Sequence, residues 1–309
     1  MKSFHLRCLL FGLSIFLANL VALPSVGPAR ELEYFNPQKL VETGWLKENL
    51  TRSHLRIIDF GRSIEDYKMG HIASALFVDR GLITTKIGEV PGMLAYVEKV
   101  VDVLENAGIS NDSTVVIYDG FGGLWASRLF WALEYLGHED VRLLNGGWNN
   151  WMNEGGKVSK EVAMVKKGFF VPQVHPERLA TKDWVLENLK NTQVKILDVR
   201  SPLEYRGENV TSDRGGHIPD AVNINWIKNL TDDDDKVFLP SNELRTLYEE
   251  AGIITDKEIV THCQIGIRAA HSYFTLRLLG YPKVRLYDGS WAEWGNDPET
   301  PIVSEKPSR

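Results

Sequence analysis

The most reactive spacing in this sequence is a cysteine followed five positions later by an arginine: Cys263-Gln264-Ile265-Gly266-Ile267-Arg268. An apolar, strand-like run, Glu258–His262, ends directly at Cys263, and a helix-like stretch begins near Ala269. A strand-to-loop-to-helix transition in a parallel sheet is where α/β proteins place ligand sites. A loop this short can curl so that its backbone N–H groups face inward, forming an anion cup at a helix N-terminus. Gly266 permits the turn and Arg268 adds a fixed positive charge. Such surroundings favour a thiolate, the nucleophilic form of cysteine. The same residues also fit a buried strand-end cysteine beside a surface arginine, so spacing alone leaves both readings open.

The chain has 309 residues and one other cysteine, Cys8. Two cysteines exclude a disulfide scaffold and any multi-cysteine zinc or iron–sulfur site. Cys8 falls in an N-terminal segment that reads as a signal peptide over residues 1–27. Lys2 and Arg7 precede an apolar run from Cys8 to Leu23, and small residues follow at Ala22 or Ser25 to Gly27. This predicts a periplasmic or secreted protein without stable membrane insertion, or a membrane-anchored one if the segment is retained. Cleavage would leave Cys263 as the sole thiol, with no internal disulfide partner. A net charge of −6 provides none of the basic field that nucleic acid requires. The length suits two domains, each with its own core.

The elements that position Cys263 are written twice. Val115–Trp151 and Ile259–Trp294 share one pattern: β-run, loop, helix, Leu-Gly, β-run, Gly, Trp-x-x-Trp. Upstream, Ile57–Asp79 mirrors Ile196–Asn225, each with a short strand ending in Asp, an acidic turn, Gly-His-Ile and a second β-run. A period this long is a duplicated domain, not a solenoid. Strands are predicted at Leu55–Phe60, Ala75–Val78, Thr114–Tyr118 and Val141–Leu144. The second copy repeats them at Val194–Val199, Ala221–Ile224, Glu258–His262 and Val284–Tyr287. Helices are predicted at Leu94–Ala107, Trp125–Leu136, Ser241–Ala251 and Ala269–Leu279, stopped by Gly108, Gly137, Gly252 and Gly280. The class is α/β, with two mainly parallel sheets flanked by helices. The join falls near Lys166–Arg178, which is polar, proline-bearing and aperiodic. Asp232–Lys236 reads as a solvated charged turn.

The ordered series resembles the tandem-domain rhodanese family of thiosulfate sulfurtransferases. It runs through Asp198-Val199-Arg200, Glu204-Tyr205-Arg206-Gly207, Gly216-His217-Ile218-Pro219 and Ala221-Val222-Asn223. It continues through His262 to Arg268, Tyr287-Asp288-Gly289-Ser290-Trp291 and Glu293-Trp294-Gly295. The resemblance implies an inactive rhodanese-like domain over 30–165, where Asp119 stands at the nucleophile position, and a catalytic one over 176–309. It implies that Cys263 takes the outer sulfur of thiosulfate as a persulfide cradled by the loop amides of Gln264, Ile265, Gly266, Ile267 and Arg268. Cyanide or a thiol then removes that sulfur, without metal or organic cofactor. Partners would be small molecules acting on a monomer. Mercaptopyruvate-using relatives carry a neutral Gly-Ser-Gly-Val-Thr loop, whereas this one ends in Arg268. A phosphatase branch needs Cys-x5-Arg, one residue longer. A persulfide carrier with negligible turnover would carry the same loop.

Arg200 and Arg206 resemble family positions near the loop and are expected to grip a dianionic donor. For Arg206 a surface ion pair is the alternative. His262 precedes Cys263 on the strand, so alternation turns it away as a packed core residue. His71 and His217 recur in both copies, which argues for a structural role. The same recurrence makes Trp148, Trp151, Trp291 and Trp294 core residues, with Trp291 a candidate for the pocket wall. Asn-x-Ser/Thr triplets stand at Asn49, Asn111, Asn209 and Asn229.

Overall fold

The computed structural model describes residues 33–304 and Met1, so the N-terminal segment with Lys2, Arg7 and Cys8 lies outside the described residues. Two five-stranded sheets have the same strand order. The first runs Leu40–Val41, Val141–Leu144, Thr114–Tyr118, Leu55–Phe60, Ala75–Val78, and every pairing is parallel. The second runs Leu179–Ala180, Val284–Tyr287, Glu258–His262, Val194–Asp198, Val222–Asn223, again parallel throughout. In each sheet the central strand ends at the residue of chemical interest, Asp119 or Cys263.

Side-chain alternation assigns each sheet two faces. Ile58, Phe60, Val115, Ile117, Leu197, Ile259 and Leu286 all enter one core that both domains share. Their neighbours Ile57, Val116 and Tyr118, or Ile196, Val260 and Tyr287, enter a separate outer core on each side. The shared core is filled by two helices, Ala126–Tyr135 and Ile267–Leu278, that are buried nearly all round. They meet at Phe130 and Phe274, edge to face with ring centroids 4.8 Å apart. At their far ends Glu134 accepts from Lys39 at 2.6 Å, Tyr273 at 2.8 Å and Arg277 at 3.2 Å. Burial pushes the Glu134 carboxyl up, but Lys39 and Arg277 bring it below the ordinary carboxylate range.

Six of the eight predicted strands coincide with observed ones. Val194–Val199 ends at Asp198, and Ala221–Ile224 shortens to Val222–Asn223. The helix expected from Leu94 starts at Val97, because Val90–Leu94 is instead a strand hairpinned against Thr84–Ile87. The helix expected from Ala269 starts two residues early, at Ile267, directly after left-handed Gly266. The expected join, Lys166–Arg178, has no regular element until the 3-10 turn Pro176–Arg178 at its end. Asp232, Asp233 and Asp234 are exposed, as a solvated turn requires. Among the described residues, no helix is long and apolar enough to cross a membrane.

Candidate active site

Cys263 leaves the central strand at its C-terminal end with its backbone pinned on both sides. Its N–H donates to Ser290 Oγ (3.1 Å) and its carbonyl accepts from Trp291 N (2.9 Å). The Gln264 carbonyl accepts from Ala292 N (2.9 Å), and its side-chain amide bonds Thr211 and Ser212. Gly266 (φ +79°) turns the chain into the twelve-residue helix Ile267–Leu278. The thiol belongs to a residue only 1% exposed.

The first copy displays what such a loop holds. The Asp119 carboxylate is fully buried and accepts four backbone N–H groups. Oδ1 takes Phe121 (2.8 Å) and Gly123 (2.9 Å); Oδ2 takes Trp125 (2.7 Å) and Ala126 (3.0 Å). Burial pushes this carboxyl up, while the four amides favour its anion and leave no acceptor for a carboxyl proton. Counting back from Gly137 and Gly280 aligns Ala126 with Ala269, Trp125 with Arg268 and Gly123 with Gly266. Gly123 is left-handed like Gly266, at +86°. The loop beginning at Asp119 is one residue longer than the loop beginning at Cys263.

Arg268 does face the loop region, but its charge is shared. Both of its terminal nitrogens donate to Glu204 at 2.8 Å, a fork-on-fork pair. Glu204 is itself fixed by a capping box with Ser201. Burial pushes the Glu204 carboxyl up, yet Arg268 and Ser201 bring it down to about 2. Glu204 was part of the quoted Glu-Tyr-Arg-Gly run, but nothing in the sequence paired it with a residue 64 positions away.

Arg200 differs from expectation. It is 1% exposed, doubly bonded to Asp198, donates to Gly216 O (2.7 Å) and stacks on Trp291 at 4.3 Å. The inactive copy builds the same triad from Arg62, Asp59 and Trp148, at 2.8 Å and 4.0 Å. The guanidinium is thus held by protein groups, and the same arrangement recurs in the copy that carries Asp119. Arg206 forms a surface pair with Glu208 at 2.6 Å, the alternative considered for it.

His262 is buried and, chiefly through that burial, lowered to about 4, so it is neutral near pH 7. Its place against Asp198 is taken in the other copy by Tyr118 against Asp59. His71 and His217 stack on Tyr67 and Tyr205 at 3.8 Å and 3.7 Å, each with Nδ1 2.8 Å from that tyrosine's carbonyl. Trp291 and Trp294 are fully buried. Of the Asn-x-Ser/Thr positions, Asn49 and Asn229 are buried and hydrogen-bonded, which removes them as glycan acceptors in the folded protein.

The Rhodanese-like domain family matches the chain twice, over residues 42–154 and 181–297. The chain is a tandem-domain member of the rhodanese family. A Thermus thermophilus rhodanese relative named sulfur carrier protein TtuD is 40% identical over 289 residues, 87% of this chain and 98% of that one. A thiosulfate sulfurtransferase of Azotobacter vinelandii is 37% identical, covering 85% and 96%. Among solved structures, an EanB variant carrying a cysteine persulfide, with ergothioneine, superposes with a TM-score of 0.80 at 27% identity. That match covers 89% of this rhodanese and 72% of EanB.

Proposed function

We propose that this rhodanese is a thiosulfate sulfurtransferase with Cys263 as its nucleophile. The Cys263 thiolate attacks the outer sulfur of thiosulfate; a new S–S bond forms, the old one breaks, and its electron pair leaves with sulfite. The resulting persulfide anion lies among the loop amides of residues 264–268 at a helix N-terminus. Cyanide or a thiol then attacks the terminal sulfur, leaving as thiocyanate or a new persulfide and returning the thiolate. The observation that carries this reading is Asp119: in the duplicate loop, four main-chain N–H groups close around an anion at the position Cys263 occupies.

Ring size supports sulfur over phosphate. The longer loop of the inactive copy is filled by one carboxylate, so the shorter Cys263 loop suits a single transferred atom better than a tetrahedral oxyanion. The N-terminal charge and apolar pattern supports export to the periplasm or outside the cell. The test is intact mass after thiosulfate treatment, followed by cyanide. One added sulfur, about 32 Da, should appear on the wild type, leave with cyanide and be absent from Cys263→Ser. A Cys263→Ser protein that still forms thiocyanate at the wild-type rate refutes the assignment.

A carrier reading has one observation in its favour. The three cations around the loop, Arg268, Arg200 and Arg128, are each paired with a carboxylate, Glu204, Asp198 and Asp288. That leaves a modest pull on a dianionic donor. Loading that stops after a single turnover, with cyanide and with dithiols as acceptors, would support it.

A further inference from the structure

The cover over the Cys263 loop comes from the other domain. The hairpin Thr84–Ile87/Val90–Leu94 sets Gly92 (φ +76°) against the loop, where a Cβ would stand 3.0 Å from Ile265 Cβ. Leu94 N–H donates to Asp288 Oδ2 (2.8 Å), and Asp288 Oδ1 lies 2.6 Å from Arg128 Nη2. Arg128 belongs to the helix Ala126–Tyr135 of the inactive domain and is fully buried. Its Nη2 also donates to Gly92 O (2.9 Å), and its plane stacks on Trp131 at 4.6 Å. Its Nε and Nη1 have no hydrogen-bond partner among the described residues. Nη1 points at the turn: a Cβ on Gly266 would meet it at 2.9 Å and Asp288 Oδ1 at 2.8 Å.

The duplication supplies an internal control. At the same offset of 143 positions, the residue equivalent to Arg128 is His271, in the helix Ile267–Leu278, and the residue equivalent to Asp288 is Asn145. His271 Nε2 lies 3.0 Å from Gly122 O of the Asp119 loop, and Asn145 Oδ1 accepts Phe238 N–H (2.9 Å) as Asp288 accepts Leu94. The architecture is reciprocal, but the side chains are not. Two neutral residues, His271 bonded to Asn229 and Gly122 and Asn145 bonded to Glu42 and Phe238, back the loop that is filled by a carboxylate. A charged pair backs the loop that must exchange its occupant. Burying an ion pair is costly, and hydrophobic or neutral substitutes are often as stable, so fold stability alone does not require it here.

We propose that Arg128, supplied by the domain that lacks a nucleophile, is a positioning residue for the Cys263 loop. It acts through Asp288, which is two residues from the Ser290 hydroxyl that holds Cys263 N–H. The pair fixes Gly266 and Ser290 from behind, so the thiolate and the amides keep their relative placement when the loop is loaded and when it is emptied. The inference rests on the sulfurtransferase reading above.

The test grafts the duplicate's own neutral pair, as Arg128→His, Asp288→Asn and the double variant. Sulfur loading from thiosulfate is measured by single-turnover mass spectrometry, with steady-state kcat and KM, and folding is followed by circular dichroism. We expect kcat and the loading rate to fall at least tenfold in folded single variants, with KM for thiosulfate within twofold, since Arg128 does not touch the donor. The double variant should lose no more than the worse single one. Arg128→Lys, which keeps the charge but not the fork, should recover part of the loss and covers the case in which Arg128→His does not fold. Folded variants that load sulfur at the wild-type rate, whatever their melting temperature, overturn the proposal. Wild-type protein that takes up no sulfur overturns the sulfurtransferase reading instead.

Discussion

Replacing Asp119 by asparagine tests the anion cup without touching the nucleophile. The two side chains are nearly isosteric, so packing is unchanged and the effect isolates hydrogen bonding. The carboxylate satisfies four N–H groups, two per oxygen. An asparagine keeps one oxygen and turns an NH2 group toward the other two donors. Two buried N–H groups then lose their acceptor, each at about 1–3 kcal/mol, so Asp119→Asn should destabilise the protein by about 2–6 kcal/mol. That is a large share of a typical stability of about 5–15 kcal/mol. Urea unfolding monitored by fluorescence and circular dichroism reads it as a lower midpoint at constant slope. Cys263→Ser, which orphans no amide, is the control and should shift the midpoint little. A shift for Asp119→Asn equivalent to less than about 1 kcal/mol would refute the claim that these loops are built around a negative charge.

Three further outcomes follow from the same geometry. Burial holds His271 at about 4 against an ordinary 6.5, so its contribution is complete above pH 6.5 and is lost as pH falls toward 4. The loss is about 3 kcal/mol, read as a falling melting temperature whose slope across that window His271→Gln should roughly halve, because buried His262 titrates in the same range. Glu204, held at about 2 against 4.5, adds a second stage of loss below pH 4.5. Glu204→Gln should unmask Arg268 and lower KM for thiosulfate several-fold, worth about 1 kcal/mol for charges about 4 Å apart screened by water at the rim. An unchanged KM in steady-state assays would contradict the charge-compensation argument. Gly266→Ala should cost about 1–2 kcal/mol for the left-handed backbone. It also drives a methyl into Arg128 and Asp288, so sulfur loading should fall with stability; wild-type loading in a rapid-quench assay would count against the close approach.

Much of the scaffold was legible because burial on both faces writes parallel strands as plain apolar runs. Glu258–His262 and Thr114–Tyr118 are of this kind, and the duplication let each copy check the other. The hairpin that covers Ile265 was not legible. Thr84–Ile87 is half exposed and interrupted nearby by Gly88 and Pro91, and its partner strand meets the other domain through Gly92 and Leu94, which no local pattern shows. The two-residue strands Leu40–Val41 and Leu179–Ala180 are too short for any periodicity. Cys263 and its loop were found from local order. For Arg200 the sequence shows a guanidinium but not the Asp198 carboxylate and Trp291 ring that engage it. The recurrence of Arg62 beside Asp59 in the inactive copy was the available warning. Arg128 and Asp288 gave no sign of each other, being 160 positions apart.

Main-chain amides grip the Asp119 carboxylate, and an amide is the same whichever residue carries it. Side chains at Gln264 and Ile265 are therefore constrained by their own neighbours, Thr211, Ser212 and Gly92, rather than by the occupant of the loop. Relatives can diversify the rim toward new acceptors while the trap beneath stays constant. A family built this way should vary in what it delivers sulfur to far more than in how it carries it.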